Sequence, residues 1–313
     1  MSKVQLKNIW KIFGASPKHI LDTLDKNASR AEIQATTGHV VAVRDVSLEI
    51  AEGEIFVVMG LSGSGKSTLI RCLSRLIEPT GGRVMINGQD VTAMGESELR
   101  DLRRSKISMV FQRFGLFPHR RVIGNVGYGL EVQGMPTAER ESKAREILKM
   151  VGLEEWENHY PHELSGGMQQ RVGLARALAV DPEILLCDEP FSALDPLIRR
   201  DMQNELLYLQ KELKKTIIFI THDFLEALKI GDRIAIMKDG VIVQVGTPQE
   251  IVGDPADAYV REFIQDVPRS RVLTAESIMA PLVDPAAVTD QQVACVTTLE
   301  ELIPLVAPTA DPL

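Results

Sequence analysis

The stretch Leu164-Ser165-Gly166-Gly167-Met168-Gln169 decides the class of this 313-residue chain. It precedes a run with regular apolar spacing, Gln170 to Ala179, which predicts a helix after a small-residue turn. Ser165 is a favoured N-cap residue, and the turn leaves bare backbone N–H groups at the positive end of that helix. The stretch therefore predicts an anion site. A flexible turn is the alternative reading of these six residues taken alone.

A second anion site is predicted where a buried strand runs into a helix. The apolar run 54–59 leads into Gly60-Leu61-Ser62-Gly63-Ser64-Gly65-Lys66-Ser67, and an apolar-periodic helix follows from Thr68 to Leu76. The three glycines let the backbone N–H groups of this loop approach phosphate oxygens closely. We expect Lys66 to reach the β- and γ-phosphates and the Ser67 hydroxyl to bind Mg²⁺. Two anion-binding helix ends in one ATPase suggest that two copies of the chain share nucleotides.

Another buried strand, 184–188, ends in two carboxylates, Asp188 and Glu189. An apolar strand that ends in acids places them at the carboxyl edge of a sheet, where α/β proteins bind their ligands. We expect Asp188 to join the metal shell and Glu189 to polarise the attacking water. A surface turn with an acidic pair, followed by Pro190, is the alternative.

Two further strands deliver single polar side chains to the same predicted edge. The run 216–221 is followed by His222, which is placed to sense a γ-phosphate by a hydrogen bond. The run 107–111 is followed by Gln112, whose amide can bind Mg²⁺ or water weakly, as a switch would. A structural or merely exposed histidine is the alternative for His222.

Composition excludes several classes of protein. Hydrophobic residues make up 44% and charged residues 25%, as in ordinary globular proteins, and the net charge of −8 disfavours a nucleic-acid binder. The three cysteines, Cys72, Cys187 and Cys295, are too scattered for a disulfide framework and indicate a reducing compartment. The N-terminal residues alternate like a strand and lack a signal-peptide core, and no apolar stretch is long enough to span a bilayer. The sequence thus predicts a cytoplasmic protein whose membrane link comes through a partner.

Together these residues resemble the nucleotide-binding subunits of ABC transporters, and the resemblance runs from about Val4 to Phe263. It implies an α/β fold: a P-loop NTPase core of the ABC type with an antiparallel β subdomain and an α-helical signature subdomain at about 113–180. The ATP-binding domain would cover residues 1–268. Met168 departs from the family pattern, in which glutamine is commoner, and leaves the serine and glycines intact.

The resemblance also assigns roles. It implies that residues 60–67 are the Walker A motif, that 184–188 are Walker B, and that Glu189 is catalytic. It implies a head-to-tail dimer with two ATP molecules, each held by one subunit's Walker A and the other's signature. The remaining implied motifs are the Q-loop at Gln112, the D-loop at 192–195 and the switch histidine at His222. The implied nucleotide-binding residues are Phe13, Gly60, Ser62, Gly63, Ser64, Gly65, Lys66, Ser67, Thr68, Ser165, Gly166, Gly167, Gln169 and Asp195, and the implied metal ligands are Ser67, Gln112 and Asp188.

The adenine platform depends on one aromatic residue. Phe13 stands where the family stacks the base, and a place in the hydrophobic core is the alternative for it. About two dozen extra residues, 15–38, follow it. They are predicted to be helical, with apolar residues on one face, and Ser29 and Glu32 have capping-box spacing for a second helix.

This helical insert narrows the resemblance to the ATPases of osmoprotectant importers for glycine betaine, proline or choline, as do the runs 116–119 and 194–199. The implied partners are an integral membrane permease and, indirectly, a periplasmic or extracellular substrate-binding protein. The implied location is peripheral, on the cytoplasmic face of the inner (plasma) membrane. The apolar, glycine-rich segment 114–131 suits a groove that receives helices of the permease, and a buried subdomain core would look similar.

The last part of the chain carries weaker signals. Asp239-Gly240 between two apolar runs predicts a hairpin, and 246–248 predicts the opening of a closing helix. In the tail, 269–313, two segments resemble the opening of a CBS domain, which implies a truncated module or a short packed tail. Five prolines favour partial disorder near the end: Pro281, Pro285, Pro304, Pro308 and Pro312.

Two rival functions remain open at this point. A soluble ABC protein that acts on ribosomes or DNA usually carries two cassettes or long coiled-coil arms, whereas this chain has one cassette and an acidic balance. A nucleotide-dependent sensor without turnover would not need Glu189 and His222.

Overall fold

The computed structural model describes residues 2–26, 28–112, 114–265, 267–279, 293–294 and 297–306. Its strands are β1 (Ser2–Phe13), β2 (Val40–Ala51), β3 (Ile55–Met59), β4 (Gly81–Ile86), β5 (Gln89–Asp90), β6 (Ile107–Val110), β7 (Ile184–Asp188), β8 (Thr216–Thr221), β9 (Arg233–Lys238) and β10 (Val241–Gly246). Its helices are α1 (Pro17–Thr23), α2 (Arg30–Thr37), α3 (Lys66–Leu73), α4 (Glu96–Ser105), α5 (Val122–Val126), α6 (Tyr128–Val132), α7 (Thr137–Met150), α8 (Gly166–Ala179), α9 (Pro196–Leu213), α10 (Phe224–Ile230), α11 (Pro248–Gly253), α12 (Ala258–Ile264), α13 (Ala275–Ile278) and α14 (Leu299–Val306).

A six-stranded sheet forms the centre of the molecule, in the order β10-β9-β3-β8-β7-β6. Strands β9, β3, β8, β7 and β6 are parallel, and β10 pairs antiparallel at the edge. Every residue of β3, β7 and β8 is buried, because helices and the second sheet cover both faces of these near-continuous apolar runs. The carboxyl ends of four motif-bearing strands thus meet at one edge of the sheet.

A four-stranded antiparallel sheet, β2-β1-β4-β5, packs over one face of the central sheet. Apolar residues from both sheets and from helix α3 share one buried cluster, which includes Val4, Ile50, Phe56, Leu69 and Ile220. The antiparallel sheet therefore lies directly above α3, the helix that follows the phosphate loop.

Helices α5 to α8 form a subdomain on the other side. Their buried residues, among them Val126, Leu130, Leu148 and Val172, belong to the cluster that also covers β7 and β8. Segment 114–131 contributes both to the buried core and to a surface groove, and the binding of permease helices in that groove stays a prediction. Val122 and Val126 are core residues, whereas Phe117 and Tyr128 line a surface groove.

The insert forms the helices α1 and α2. Ser29 and Glu32 make the capping box that their spacing predicts. Both helices pack on β1 and β2 through a small core of their own, built from Trp10, Ile12, Ile33 and Val41. The hairpin predicted at Asp239-Gly240 is present as the pair β9–β10, and Thr247 caps α11.

Three helix boundaries were predicted wrongly. Helix α8 begins at Gly166 rather than Gln170, because the Ser165 side chain caps it and draws both glycines into the first turn. Helix α3 begins at Lys66 rather than Thr68, and it ends at Leu73 rather than Leu76, since Arg75 takes a positive φ of 50°.

In the tail, an isolated antiparallel bridge joins Thr274 to Thr298, so the two CBS-like segments lie against each other. This short contact does not define a CBS fold, and the CBS likeness stays a prediction. Pro304 lies within helix α14. The other four prolines of the disorder prediction lie outside the described residues.

Candidate functional site

The phosphate loop, 60–67, fits closely between β2 and β9. A Cβ atom on Gly60 would lie 2.1 Å from the Met237 carbonyl oxygen, and one on Gly65 would lie 2.1 Å from the Ala42 carbonyl oxygen. Gly60 and Gly65 also have φ values of 150° and 108°. No other residue fits either position, because the loop approaches neighbouring backbone and bends through conformations that L side chains avoid.

Lys66, at the start of α3, is 4% exposed and points back into the loop. Its Nζ atom donates to the carbonyl oxygens of Gly60 (2.7 Å) and Leu61 (3.0 Å) and lies 3.7 Å from Glu189 Oε1. Burial lowers the pKa of Lys66, and the charge of Glu189 opposes that shift. The ammonium is thus desolvated but paired.

Ser67 and Asp188 come together as the sequence predicted. The Ser67 hydroxyl donates to Asp188 Oδ1 at 2.7 Å, and Arg71 Nη2 lies 3.1 Å from Asp188 Oδ2. Asp188 is buried at the end of β7, and Ser67 lies one helical turn before Arg71 on α3. A hydroxyl oxygen and a carboxylate oxygen at this spacing are hard oxygen ligands of the kind that Mg²⁺ prefers.

Glu189 and His222 form a second pair at the neighbouring strand ends. His222 Nδ1 lies 3.0 Å from Glu189 Oε2. Glu189 has a φ of 48°, a conformation that costs free energy for a residue with a Cβ and is concentrated at functional sites. The bend turns the Glu189 side chain away from the strand and towards Lys66 and His222.

Gln112 lies past the end of β6, and no hydrogen bond among the described residues joins it to Ser67 or Asp188. Its Nε2 atom donates to Ser192 Oγ at 3.2 Å, and that hydroxyl donates to the Glu189 carbonyl oxygen at 3.0 Å. In this structure Gln112 is therefore linked to the backbone of Glu189 through the Ser192 hydroxyl. Its role as a metal ligand stays a prediction.

The signature residues lie on a different surface. Ser165 Oγ accepts a hydrogen bond from the Met168 N–H at 3.3 Å, and the Gln169 amide donates to the Leu164 carbonyl oxygen at 3.2 Å. Ser165 and Gly166 are exposed, and a Cβ on Gly167 would lie 2.5 Å from the side chain of Ile198. Among the described residues, no hydrogen bond or ion pair joins this segment to the phosphate loop of the same chain.

The other predicted site residues have the following positions. Phe13, the last residue of β1, is 42% exposed, and the Lys11 ammonium lies 4.9 Å from its ring centre, so the core alternative for Phe13 is wrong. Asp195 is exposed immediately before α9. Ser62 and Gly63 are exposed at the tip of the phosphate loop, and Thr68 is half-buried in α3.

Arg71 and the neighbouring Arg30 were not predicted as site residues, and Ser192 was named only as part of the D-loop. Arg71 could have been found, because its spacing of four from Ser67 puts both on one helical face. No sequence signal predicted the contact of Ser192 with Gln112 or that of Arg30 with the Gly63 carbonyl oxygen, since both arise only in the tertiary structure.

These residues fit a nucleotide and its metal. The buried Ser64 hydroxyl is aimed into the loop and has no hydrogen-bond partner in the described structure. The Cβ-free faces of Gly60 and Gly65 shape the loop around it. The loop therefore offers unpaired donors to phosphate oxygens, and the Ser67–Asp188 pair offers oxygens to a divalent cation.

Known proteins share this arrangement. The family model described as ABC transporter matches residues 43–192. The glycine betaine/carnitine transport ATP-binding protein of Listeria monocytogenes is 55% identical over 89% of this chain and 70% of its own length. The glycine betaine/proline betaine transport ATP-binding protein of Salmonella typhimurium is 55% identical over 88% of this chain and 69% of its own length. This chain belongs to the ABC transporter ATP-binding proteins.

Solved structures agree with that family. The ATP-binding cassette MJ0796, a dimer in a post-hydrolysis state bound to ADP and Pi, matches 78% of this chain and 98% of its own length, at 37% identity and a TM-score of 0.66. The predicted ABC ATPase fold, with its antiparallel sheet and helical subdomain, is confirmed. A third relative, the glycine betaine transport ATP-binding protein of Bacillus subtilis, is 58% identical over 88% of this chain and 66% of its own length. The chain thus spans about two thirds of the curated relatives that it matches.

Proposed function

We propose that this chain is the ATP-hydrolysing subunit of an importer for a small quaternary amine or proline-type osmoprotectant. The observation that carries the proposal is the meeting of three strand ends at one edge of the central sheet. They bring Lys66 and Ser67, Asp188 and Glu189, and His222 within hydrogen-bond or ion-pair distance of one another. ABC ATPases hydrolyse ATP to drive transport, and this constellation supplies the groups that the reaction needs.

Each residue of the site would have a separate role in ATP binding and hydrolysis. Lys66 and the loop N–H groups would bind the phosphates, and Ser67 with Asp188 would hold Mg²⁺, with Gln112 as a further ligand. Bound Mg²⁺ would supply charge neutralisation at the phosphate oxygens. Glu189 is placed to accept a proton from the attacking water, and its hydrogen bond to His222 orients the carboxylate. Phe13, exposed at the end of β1, would stack on the adenine.

Two copies of the chain would complete the site. Ser165 and Gly166 are exposed and make no bond to their own phosphate loop in the described structure, so they are available to a nucleotide on another subunit. Asp195, Leu197 and Ile198 are exposed beside them. The solved relative is a dimer, which supports a second copy of the chain as the partner.

A groove on the helical side supports a permease partner. A cavity of about 430 Å³ lies between β6 and α6, lined by apolar side chains including Phe111, Phe117, Tyr128 and Val132. Arg176 fixes its floor by donating to the Gly115 carbonyl oxygen at 2.6 Å. Such a groove would receive a short helix of an integral membrane subunit.

The membrane and substrate assignments rest on the relatives. In the part of the chain that the structure describes, no helix is long and apolar enough to cross a bilayer. The relatives are named for transport of glycine betaine, carnitine and proline betaine. The permease would therefore hold this chain on the cytoplasmic face of the plasma membrane, and a separate binding protein would select the solute. These names do not favour a ribosome- or DNA-directed ATPase.

Reconstitution tests the proposal. The chain is combined with its permease in proteoliposomes, with the binding protein on the opposite side and ATP on the side of the chain. We expect glycine betaine, proline or choline to stimulate both ATP hydrolysis and solute uptake, and a Glu189→Gln complex to do neither. Hydrolysis that no solute of this class stimulates, together with no uptake, would contradict the transport assignment.

A further inference from the structure

Arg30, the first residue of helix α2, links the insert to the phosphate loop. Its Nη1 atom donates a hydrogen bond of 2.8 Å to the carbonyl oxygen of Gly63. The motifs assign the loop to the nucleotide but assign nothing to the insert. This bond is a direct contact between the two.

The insert is held firmly enough to present Arg30 at a fixed place. Arg44 of β2 donates to the carbonyl oxygen of Ala28 at 2.8 Å and also to that of Lys26. The Ser29–Glu32 capping box fixes the first turn of α2. Below that turn, Ile33 is buried against β1 and β2. Arg30 therefore extends from an anchored helix start rather than from a free loop.

The position of Arg30 is unfavourable for its own helix. It is the first helical residue of α2, and the N-terminal end of a helix carries partial positive charge, which disfavours a cation. Its guanidinium finds its acceptor outside the helix, at Gly63. The presence of an arginine at this unfavourable helix position is best explained by the hydrogen bond that it makes outside the helix.

The Arg30 bond fixes the carbonyl end of the Gly63–Ser64 peptide group, whose N–H end is bonded within the loop. Gly63 has a φ of 78° and open space where a Cβ would be, so no side chain restrains it, and the N–H end of the Gly63–Ser64 peptide donates to the Leu61 carbonyl oxygen at 3.2 Å. In a trans peptide the C=O and N–H point in opposite directions. A Gly63 carbonyl held outward by Arg30 therefore keeps the Ser64 N–H on the opposite side of that peptide. The next carbonyl, that of Ser64, is held by the Gly240 N–H at 2.9 Å.

We infer that Arg30 is a positioning residue for the nucleotide: it holds the Gly63–Ser64 peptide in the orientation in which the loop accepts phosphate. The inference rests on the proposed ATP site and deepens it by giving the insert a role there. Lys66 must leave the Gly60 and Leu61 carbonyls to meet a phosphate, whereas the Arg30 bond lies outside the loop and persists. The insert thus supports the loop while its lysine moves.

The test compares three full-length variants. In Arg30→Ala the hydrogen bond is lost, and we expect the Kd for MgATP and for MgADP to rise about three- to tenfold, as for loss of a partly exposed charge-assisted bond. The KM for ATP should rise in parallel while kcat stays within about twofold, because Glu189 and His222 are untouched. Arg30→Lys keeps a charged donor and should recover most of the affinity. Lys18→Ala removes an equal charge from exposed α1 and should match the wild type.

Calorimetric titration and the melting temperature of the nucleotide-free proteins separate the outcomes. Wild-type Kd and KM in Arg30→Ala would overturn the inference, as would an equal loss of affinity in Lys18→Ala. A lowered melting temperature with a Kd that Arg30→Lys does not restore would assign Arg30 to insert stability instead. Failure of the wild-type protein to bind ATP at all would overturn the proposed function, which is a distinguishable result.

Discussion

The Lys66 ammonium lies 3.7 Å from the Glu189 carboxylate, across the ends of two strands of the central sheet. Two loop carbonyl oxygens accept hydrogen bonds from the same ammonium, and His222 bonds the same carboxylate. The proposed phosphate-binding cation and the proposed general base therefore neutralise each other in this state. A phosphate oxygen would replace Glu189 as the partner of Lys66. Nucleotide binding would therefore also free the Glu189 carboxylate to accept a proton from the attacking water.

Lys66→Ala is expected to weaken MgATP binding by roughly 10²-fold or more, because truncating one partner of a desolvated charge pair costs several kcal/mol. Titration calorimetry measures the Kd directly. Lys215→Ala is the matched control, since that lysine pairs with Asp181 away from the site and its loss should leave the Kd unchanged. Near-normal affinity in Lys66→Ala would show that the loop does not bind the phosphates through this side chain.

Glu189→Gln is expected to keep ATP binding and to slow hydrolysis by roughly 10²–10⁴-fold, the usual contribution of a general base. The closed dimer opens only after cleavage in this scheme, so the variant should accumulate as an ATP-bound dimer. Light scattering with ATP and Mg²⁺ detects that dimer, and phosphate release measures the rate. Wild-type turnover, or a species that stays monomeric, would refute the role of Glu189.

Ser165→Arg should leave ATP binding by the dilute monomer intact and remove hydrolysis. The physical reason is that Ser165 is exposed and makes no bond to its own phosphate loop in the described residues. The bulky arginine side chain would therefore block closure against another subunit. Nucleotide titration at low protein concentration and phosphate release at high concentration check the two halves of this prediction.

Mixed dimers sharpen the Ser165 prediction. When Ser165→Arg subunits pair with Lys66→Ala subunits, one composite site carries both lesions and the other combines two intact halves. The intact site should close and bind nucleotide, which a labelled-ATP retention assay on purified heterodimer detects. Loss of ATP binding by dilute Ser165→Arg monomer would instead mean that the residue serves its own nucleotide.

Glu183 is expected to link stability to pH. Lys106 and Lys3 donate hydrogen bonds to its carboxylate, the latter at 2.7 Å, and together with Asn87 they lower the pKa of Glu183 to about 2. The folded pKa lies below the ordinary value of 4.5, so the stabilisation is fully present above pH 4.5 and is lost as the pH falls towards 2. Because the side chain is partly exposed, we expect Glu183→Gln to lower the free energy of unfolding at pH 7 by about 1–2 kcal/mol.

Urea unfolding at pH 7, 4 and 3 checks the Glu183 prediction. The difference between wild type and Glu183→Gln should narrow as the pH drops below 4.5. Glu52→Gln is the control, because Glu52 also pairs with Lys3 but is 67% exposed and should contribute little. A difference that is the same at all three pH values would mean that the Glu183 charge does not stabilise the fold.

Local sequence patterns were sufficient for the fold class and for most of the secondary structure. The strands that lead to Lys66, Asp188 and His222 are near-continuous apolar runs, which are typical of parallel strands buried on both faces. Glycine spacing in the phosphate loop and the capping residues at Ser29 and Ser165 are also local properties. These features are encoded within a few residues, so they could be predicted without the rest of the chain.

The errors at element ends have a different origin. Whether Gly166 joins α8, and whether α3 stops at Leu73, depends on single dihedral angles and on one capping bond. Helix ends are set by contributions of about 1 kcal/mol, which hydrophobic periodicity does not report. Periodicity thus locates a helix but not its first and last residue.

The sequence by itself determined which residues carry the chemistry, because each sits at a fixed offset from a strand or glycine turn. Only the tertiary structure decided their partners. It paired Lys66 with Glu189, placed Gln112 on Ser192 and brought Arg30 of the insert onto Gly63. Those contacts join residues that are 33 to 123 positions apart in the sequence and that lie in separate parts of the fold. They arise from the packing of whole sheets and helices against one another. Packing sums many small, non-local interactions, so no short stretch of sequence contains it.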